Sequence, residues 1–151
     1  MSIHQLYHEV IKQHSRSPIG AGKKMASTHG ADGYNPSCGD ELNIYLELNA
    51  DTPEAEIKSV GFNADACAIC TASASLLCQH SAGKTVAELL TDIQAFAQSL
   101  NQKSPVPIQS LECLSAVVKH PSRINCALLP WQTLRKAMST PINSNLSNEQ
   151  R

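Results

Sequence analysis

Leu42, Ile44, Leu46 and Leu48 alternate with Glu41, Asn43, Tyr45 and Glu47. Only an extended strand sends successive side chains to opposite faces and so sorts these eight residues into an apolar row and a polar one. A strand patterned this way needs a core against one face and partners along its edges. Asn49, Asp51 and Pro53 supply turn chemistry after it, and the residues from Ile57 to Phe62 read as a second, antiparallel strand.

Around this hairpin the apolar period becomes helical. Ahead of it, Ile3, Leu6, Tyr7, Val10 and Ile11 form one stripe, opened by a Ser2/Gln5 capping box and stopping at 14–17, before Pro18. Residues 20–33 are Gly-rich and weakly patterned, which predicts a mobile segment or at most a poor edge strand near 25–28. After the hairpin, Ile69, Ala72, Ser73, Leu76, Leu77 and His80 share one face of a helix over 68–81, which Gly83 ends. Thr85 and Glu88 open another, with Val86, Leu89, Leu90, Ile93, Phe96, Ala97 and Leu100 as its stripe. Two more helices are expected over 109–119 and 127–138, with Pro130 tolerated in the first turn of the last. Strands first and helices after predict an α+β fold, a small antiparallel sheet with helices packed on one face. The 151 residues suit a single domain over 1–138, followed by a small, polar stretch over 139–151 that reads as a disordered tail.

Twelve Lys and Arg against thirteen Asp and Glu, with no block of like charge, argue against nucleic-acid binding. The longest apolar run, Cys126 to Trp131, is far short of a membrane span, and the N-terminus reads as no secretory signal. The expectation is a cytoplasmic protein, in which cysteines are thiols. Of the six, Cys78 and Cys113 lie inside helical patterns and read as packing. Cys38 lies in a turn-rich loop, Cys67 leads into a helix, and Cys126 is placed just before or at the start of the last helix. A helix N-terminus favours thiolate over thiol, and Arg123, three residues before Cys126, would add to that. Cys67 and Cys70 form a CxxC, half a zinc site or a redox motif, but one without a second CxxC or a βαβ context. Asp40 by itself reads as a turn cap. Spacing alone leaves the metal question open.

Three blocks carry a resemblance: Asn35-Pro36-Ser37-Cys38-Gly39-Asp40; Cys67 through Ala72-Ser73-Ala74-Ser75; and Arg123-Ile124-Asn125-Cys126-Ala127-Leu128 with Trp131. In order and spacing they resemble the signature blocks of the IscU/SufU/NifU-N family of iron–sulfur assembly proteins, and Leu6 to Ile11 resembles that family's opening helix. Asn125, where IscU-type members have histidine, and the long stretch between the second and third cysteines resemble the SufU-type branch. Ala66, where the family usually has Gly, and Cys70, at a position commonly Ser or Ala, depart from the pattern.

The resemblance implies zinc bound by Cys38, Asp40, Cys67 and Cys126, with Cys38 accepting persulfide sulfur from a SufS-like cysteine desulfurase and passing it to downstream iron–sulfur assembly machinery. The alternative it allows is a scaffold on which an iron–sulfur cluster is built on the same cysteines. A thiol–disulfide oxidoreductase using Cys67 and Cys70 is a third reading, carried by the CxxC alone. The readings separate by mutation. The oxidoreductase reading expects Cys70→Ser to abolish activity and Cys126→Ser to spare it; both assembly readings expect the reverse, in parallel assays of thiol exchange and desulfurase stimulation.

Overall fold

The structure is a computed structural model that describes residues 2–142. In chain order it runs α1 (Ile3–Arg16), β1 (His29–Asn35), β2 (Asp40–Leu48), β3 (Ile57–Asp65), α2 (Ala68–Ser81), α3 (Val86–Gln102), a 3-10 helix (Gln109–Lys119) and α4 (Pro121–Met138). The strands form one antiparallel sheet in the order β1-β2-β3, with the alternating strand at its centre. Leu42, Ile44, Leu46 and Leu48 all face the core, as their period requires, and α4 packs across β1 and β2 while α2 packs against β3. The α+β reading is what the chain adopts.

Both expected capping boxes are present, Ser2 with Gln5 on α1 and Thr85 with Glu88 on α3. Four local readings are corrected. The stretch read as mobile contains β1, a seven-residue strand in register with β2 from His29↔Leu46 to Asn35↔Asp40. Its sequence, His-Gly-Ala-Asp-Gly-Tyr-Asn, has no alternation because its pairing comes from the free edge of β2 and from α4 lying over it. Gly33 makes that possible: a Cβ there would collide with Thr133 Oγ1 and press on Leu129. The second strand read to Phe62 extends to Asp65. The segment 109–119 winds as a 3-10 helix rather than an α-helix. Finally, α4 starts at Pro121 rather than Ala127, so Pro130 is its tenth residue and lies inside the helix. Burial of Pro130 and its neighbours on the sheet outweighs the lost backbone hydrogen bond.

Past α4, Gly30 donates its N–H to Thr140 O (3.2 Å) and Ile142 to Thr28 O (2.8 Å), so the chain returns along β1. The rest of the expected tail, 143–151, lies outside the described residues.

A buried polar relay ties two of the helices together. Trp131, fully buried, donates its indole N–H to Ser73 Oγ at 3.0 Å, and Ser73 donates to Ala127 O at 2.6 Å. This joins α2 to α4 and fixes their separation. Ser73→Ala should strand the buried indole N–H and cost about 1–3 kcal/mol. A melting temperature lower by roughly 3–10 °C is expected by calorimetry, and an unchanged one would show that the relay contributes nothing.

Candidate metal centre

The turn between β1 and β2 carries the first cysteine. Gly39 adopts φ 72°, a left-handed conformation that suits glycine, and donates its N–H to Asn35 O at 2.9 Å, closing the loop. Cys38 is thereby lifted into solvent at the loop tip while Asp40, two residues on, turns inward as the first residue of β2. Asp40 has no exposed surface.

Three other elements converge on that carboxylate. Cys67, the N-cap of α2, gives its backbone N–H to Asp40 Oδ1 at 2.8 Å, while its own Sγ accepts from the Cys70 N–H at 3.4 Å. Asn35, the last residue of β1, donates from Nδ2 to Asp40 Oδ2 at 3.2 Å and to Cys126 Sγ at 3.6 Å. Cys126, on α4, places its Sγ 3.2 Å from Cys38 Sγ and 3.7 Å from Ser122 O. Ligand atoms of Cys38, Asp40 and Cys126 all lie within 4.8 Å of one another. Cys67 borders this trio.

Burial by itself would raise the Asp40 carboxyl, but the Cys67 N–H, the Cys126 thiol, the Asn35 amide and the Cys67 side chain reverse that and hold it below its ordinary value. The carboxyl is therefore an anion, and among the described residues it has no Lys, Arg or His in ion-pair range. Cys126 moves the other way. Burial, then hydrogen bonds to Cys38 and Asp40, then the nearby Cys67 push its thiol well above the ordinary range. The expectation that α4's N-terminus would ionise Cys126 is thus corrected. Cys126 is the sixth residue of the helix, past the unpaired N–H groups of the first turn. Ionising it takes a cation, and a buried carboxylate ringed by thiols is a donor set that a soft divalent ion such as zinc fits.

Arg123 stands one turn before Cys126, exposed, and makes no ion pair or side-chain hydrogen bond among the described residues. Cys70 is fully buried and its thiol is raised by burial and by the charges of Asp40, Cys67 and Cys38, which makes it a poor partner for thiol exchange. Burial also raises Cys78 to about 12 and Cys113 to about 11, in line with packing roles. Asn35 is the contact that sequence reasoning missed. Its place before a proline marks a turn, but only the register Asn35↔Asp40 aims its amide at the carboxylate.

Residues 6–140 match the model of the NifU-like N-terminal domain. The chain is 30% identical over 143 residues to the zinc-dependent sulfurtransferase SufU of Bacillus subtilis, covering 93% of this chain and 94% of that protein. It is 28% identical over 151 residues to the iron–sulfur cluster assembly scaffold protein IscU of Streptococcus pyogenes, covering 98% and 92%. A crystal structure described as a putative iron–sulfur cluster assembly scaffold protein for the SUF system of Fervidobacterium islandicum superposes with a TM-score of 0.74 at 28% identity, over 91% of this chain and 99% of that one.

Thiol accessibility follows from the geometry. In reduced, metal-depleted protein, an alkylating reagent should modify exposed Cys38 and half-buried Cys67 first, and reach Cys70, Cys78, Cys113 and Cys126 only after denaturation. Peptide mass spectrometry over a time course reads this order; early labelling of Cys126 would contradict its burial.

Proposed function

The chain belongs to the NifU-like N-terminal domain family, and on that footing we propose that it is a zinc-binding sulfur acceptor serving a cysteine desulfurase in iron–sulfur cluster assembly. The observation that carries this reading is the buried, ionised Asp40 with no cationic partner among the described residues, set against the thiols of Cys38 and Cys126. Cys38, Asp40 and Cys126 would hold the ion, with Cys67 as the fourth ligand from the start of α2. Bound zinc would supply the positive charge that keeps these thiols deprotonated at neutral pH.

The remaining steps belong to the chain's own residues. Cys38 is the exposed member of the set and sits on a turn, so it is the ligand able to leave without disturbing the core. As a free thiolate, Cys38 attacks the terminal sulfur of a persulfide on the desulfurase. A new S–S bond forms at Cys38, the S–S bond of the donor persulfide breaks, and the donor cysteine leaves as a thiolate. No net oxidation occurs and charge is conserved. Asp40, Cys67 and Cys126 would stay in place, and Arg123, exposed one turn from Cys126, would add positive charge at the rim.

The desulfurase is inferred to be SufS-like, the acceptor of the carried sulfur to be downstream assembly machinery, and the setting to be the cytoplasm; no helix among the described residues is long and apolar enough to cross a membrane. The scaffold reading is kept by one observation, that relatives named as scaffolds match nearly as well as the sulfurtransferase. Protein purified without oxygen should carry one zinc per chain by elemental analysis and should accelerate a desulfurase. Cys38→Ala should eliminate sulfur acceptance, measured by persulfide-specific labelling. Asp40→Ala should weaken zinc retention, because three ligands and a water replace four. A stable cluster without zinc, together with a desulfurase that turns over equally fast in its absence, would favour the scaffold.

A further inference from the structure

Asn35 is nine-tenths buried, and its amide orientation is fixed from both ends. Asp40 Oδ2 is a carboxylate oxygen and only accepts, so Nδ2 faces it; the Ser37 backbone N–H only donates, so Oδ1 faces that, at 3.3 Å. Nδ2 therefore has two N–H groups for two acceptors, Asp40 Oδ2 and Cys126 Sγ. These lie on separate elements, β2 and α4, and Asn35 at the end of β1 is a side chain that bonds both.

We propose that Asn35 is a positioning residue that keeps Asp40 and Cys126 together as a metal-retaining pair while Cys38 is away accepting sulfur. The inference rests on the zinc reading above. With Cys38 away, fewer ligands would remain, and two of them are the buried Asp40 carboxylate and the buried Cys126 sulfur, a thiolate once zinc is bound, with ligand atoms within 4.8 Å of each other. Two like charges repel, more strongly in a dry interior than in water. An amide donating one N–H to each offsets that repulsion and holds both lone-pair sets in the geometry a cation needs. Alanine at this position would leave the two anions facing each other without a donor between them. Cys38 has no such support, since its side-chain hydrogen bond among the described residues is to the Cys126 thiol. The asymmetry gives one mobile ligand and a held remainder.

The competing possibility is that Asn35 only shapes the turn through its Oδ1. Serine separates the two roles, because its hydroxyl can still accept from the Ser37 N–H but is too short to reach Asp40 and Cys126. Asn35→Ala and Asn35→Ser would be made in the full chain, and again in a Cys38→Ala background. Zinc affinity would be read by competition with a chromophoric chelator, and Co(II) binding by its thiolate charge-transfer bands. Melting curves of the metal-depleted proteins provide the folding control. Both variants should lose roughly 10–100-fold in zinc affinity, as removal of outer-shell partners does elsewhere. The loss should be at least as large without Cys38, and Asn35→Ser should melt close to wild type when metal-depleted. If Asn35→Ser fails to fold, Asn35→Thr carries the same comparison. Zinc affinity of the serine or threonine variant within about twofold of wild type, well short of the usual outer-shell effect, would overturn the role of Asn35 alone. A wild-type chain that binds neither zinc nor Co(II) through its thiols would remove the zinc reading, and the role of Asn35 with it.

Discussion

A carboxylate without solvent is the constraint around which this molecule is arranged. An unpaired buried charge costs several kcal/mol even after the protein relaxes, so Asp40 is tolerable only because donors reach it from separate parts of the chain. Cys67 supplies a backbone N–H from the start of α2, Asn35 an amide from the end of β1, and Cys126 a thiol from α4. Each donor fixes the element that carries it. The same contacts that make the charge bearable also bring the three family blocks to one point.

The hydrophobic architecture serves that convergence. The inner row of β2 gives α4 and α2 a surface to pack on, and Gly33 lets α4 approach β1 closely enough for Cys126 to reach the loop holding Cys38. Ser73 and Trp131 then lock α2 against α4, which keeps Cys67 and Cys126 in register across the site. His80 reinforces the same junction, bonding Asp92 on α3 at 2.7 Å while its ring lies 5.8 Å from that of Trp131. The packing that holds the site lies beneath it, between the helices, while Cys38 sits above it on the exposed Pro36–Gly39 turn.

Where sequence reading worked, the physics was local. Period two gave the central strand, period 3.6 gave α1, α2 and α3, and the hydroxyl-to-N3 spacing gave two capping boxes. Where it failed, the deciding interactions were distant in sequence. β1 has no pattern of its own and exists because β2 offers an edge. The start of α4 at Pro121 could not be read past Pro130, since a proline costs a helix about 3 kcal/mol locally and only burial on the sheet outweighs it. That shift of one helix boundary takes Cys126 out of the first turn, and burial with its hydrogen bonds to Cys38 and Asp40 pushes its thiol up instead.

What the sequence by itself determined is therefore the element types, the one-sided core and, through three ordered motifs, the candidates Cys38, Asp40, Cys67 and Cys126. Hydrogen bonds within a turn and side-chain periodicity are short-range, and short-range physics is written in neighbouring residues. Only the tertiary structure decided that Asp40 is a buried anion rather than a turn cap, that Cys70 is closed off, and that Asn35 bridges carboxylate and thiol. Those facts depend on which groups end up facing each other across β1, β2, α2 and α4, and on how much water is left between them.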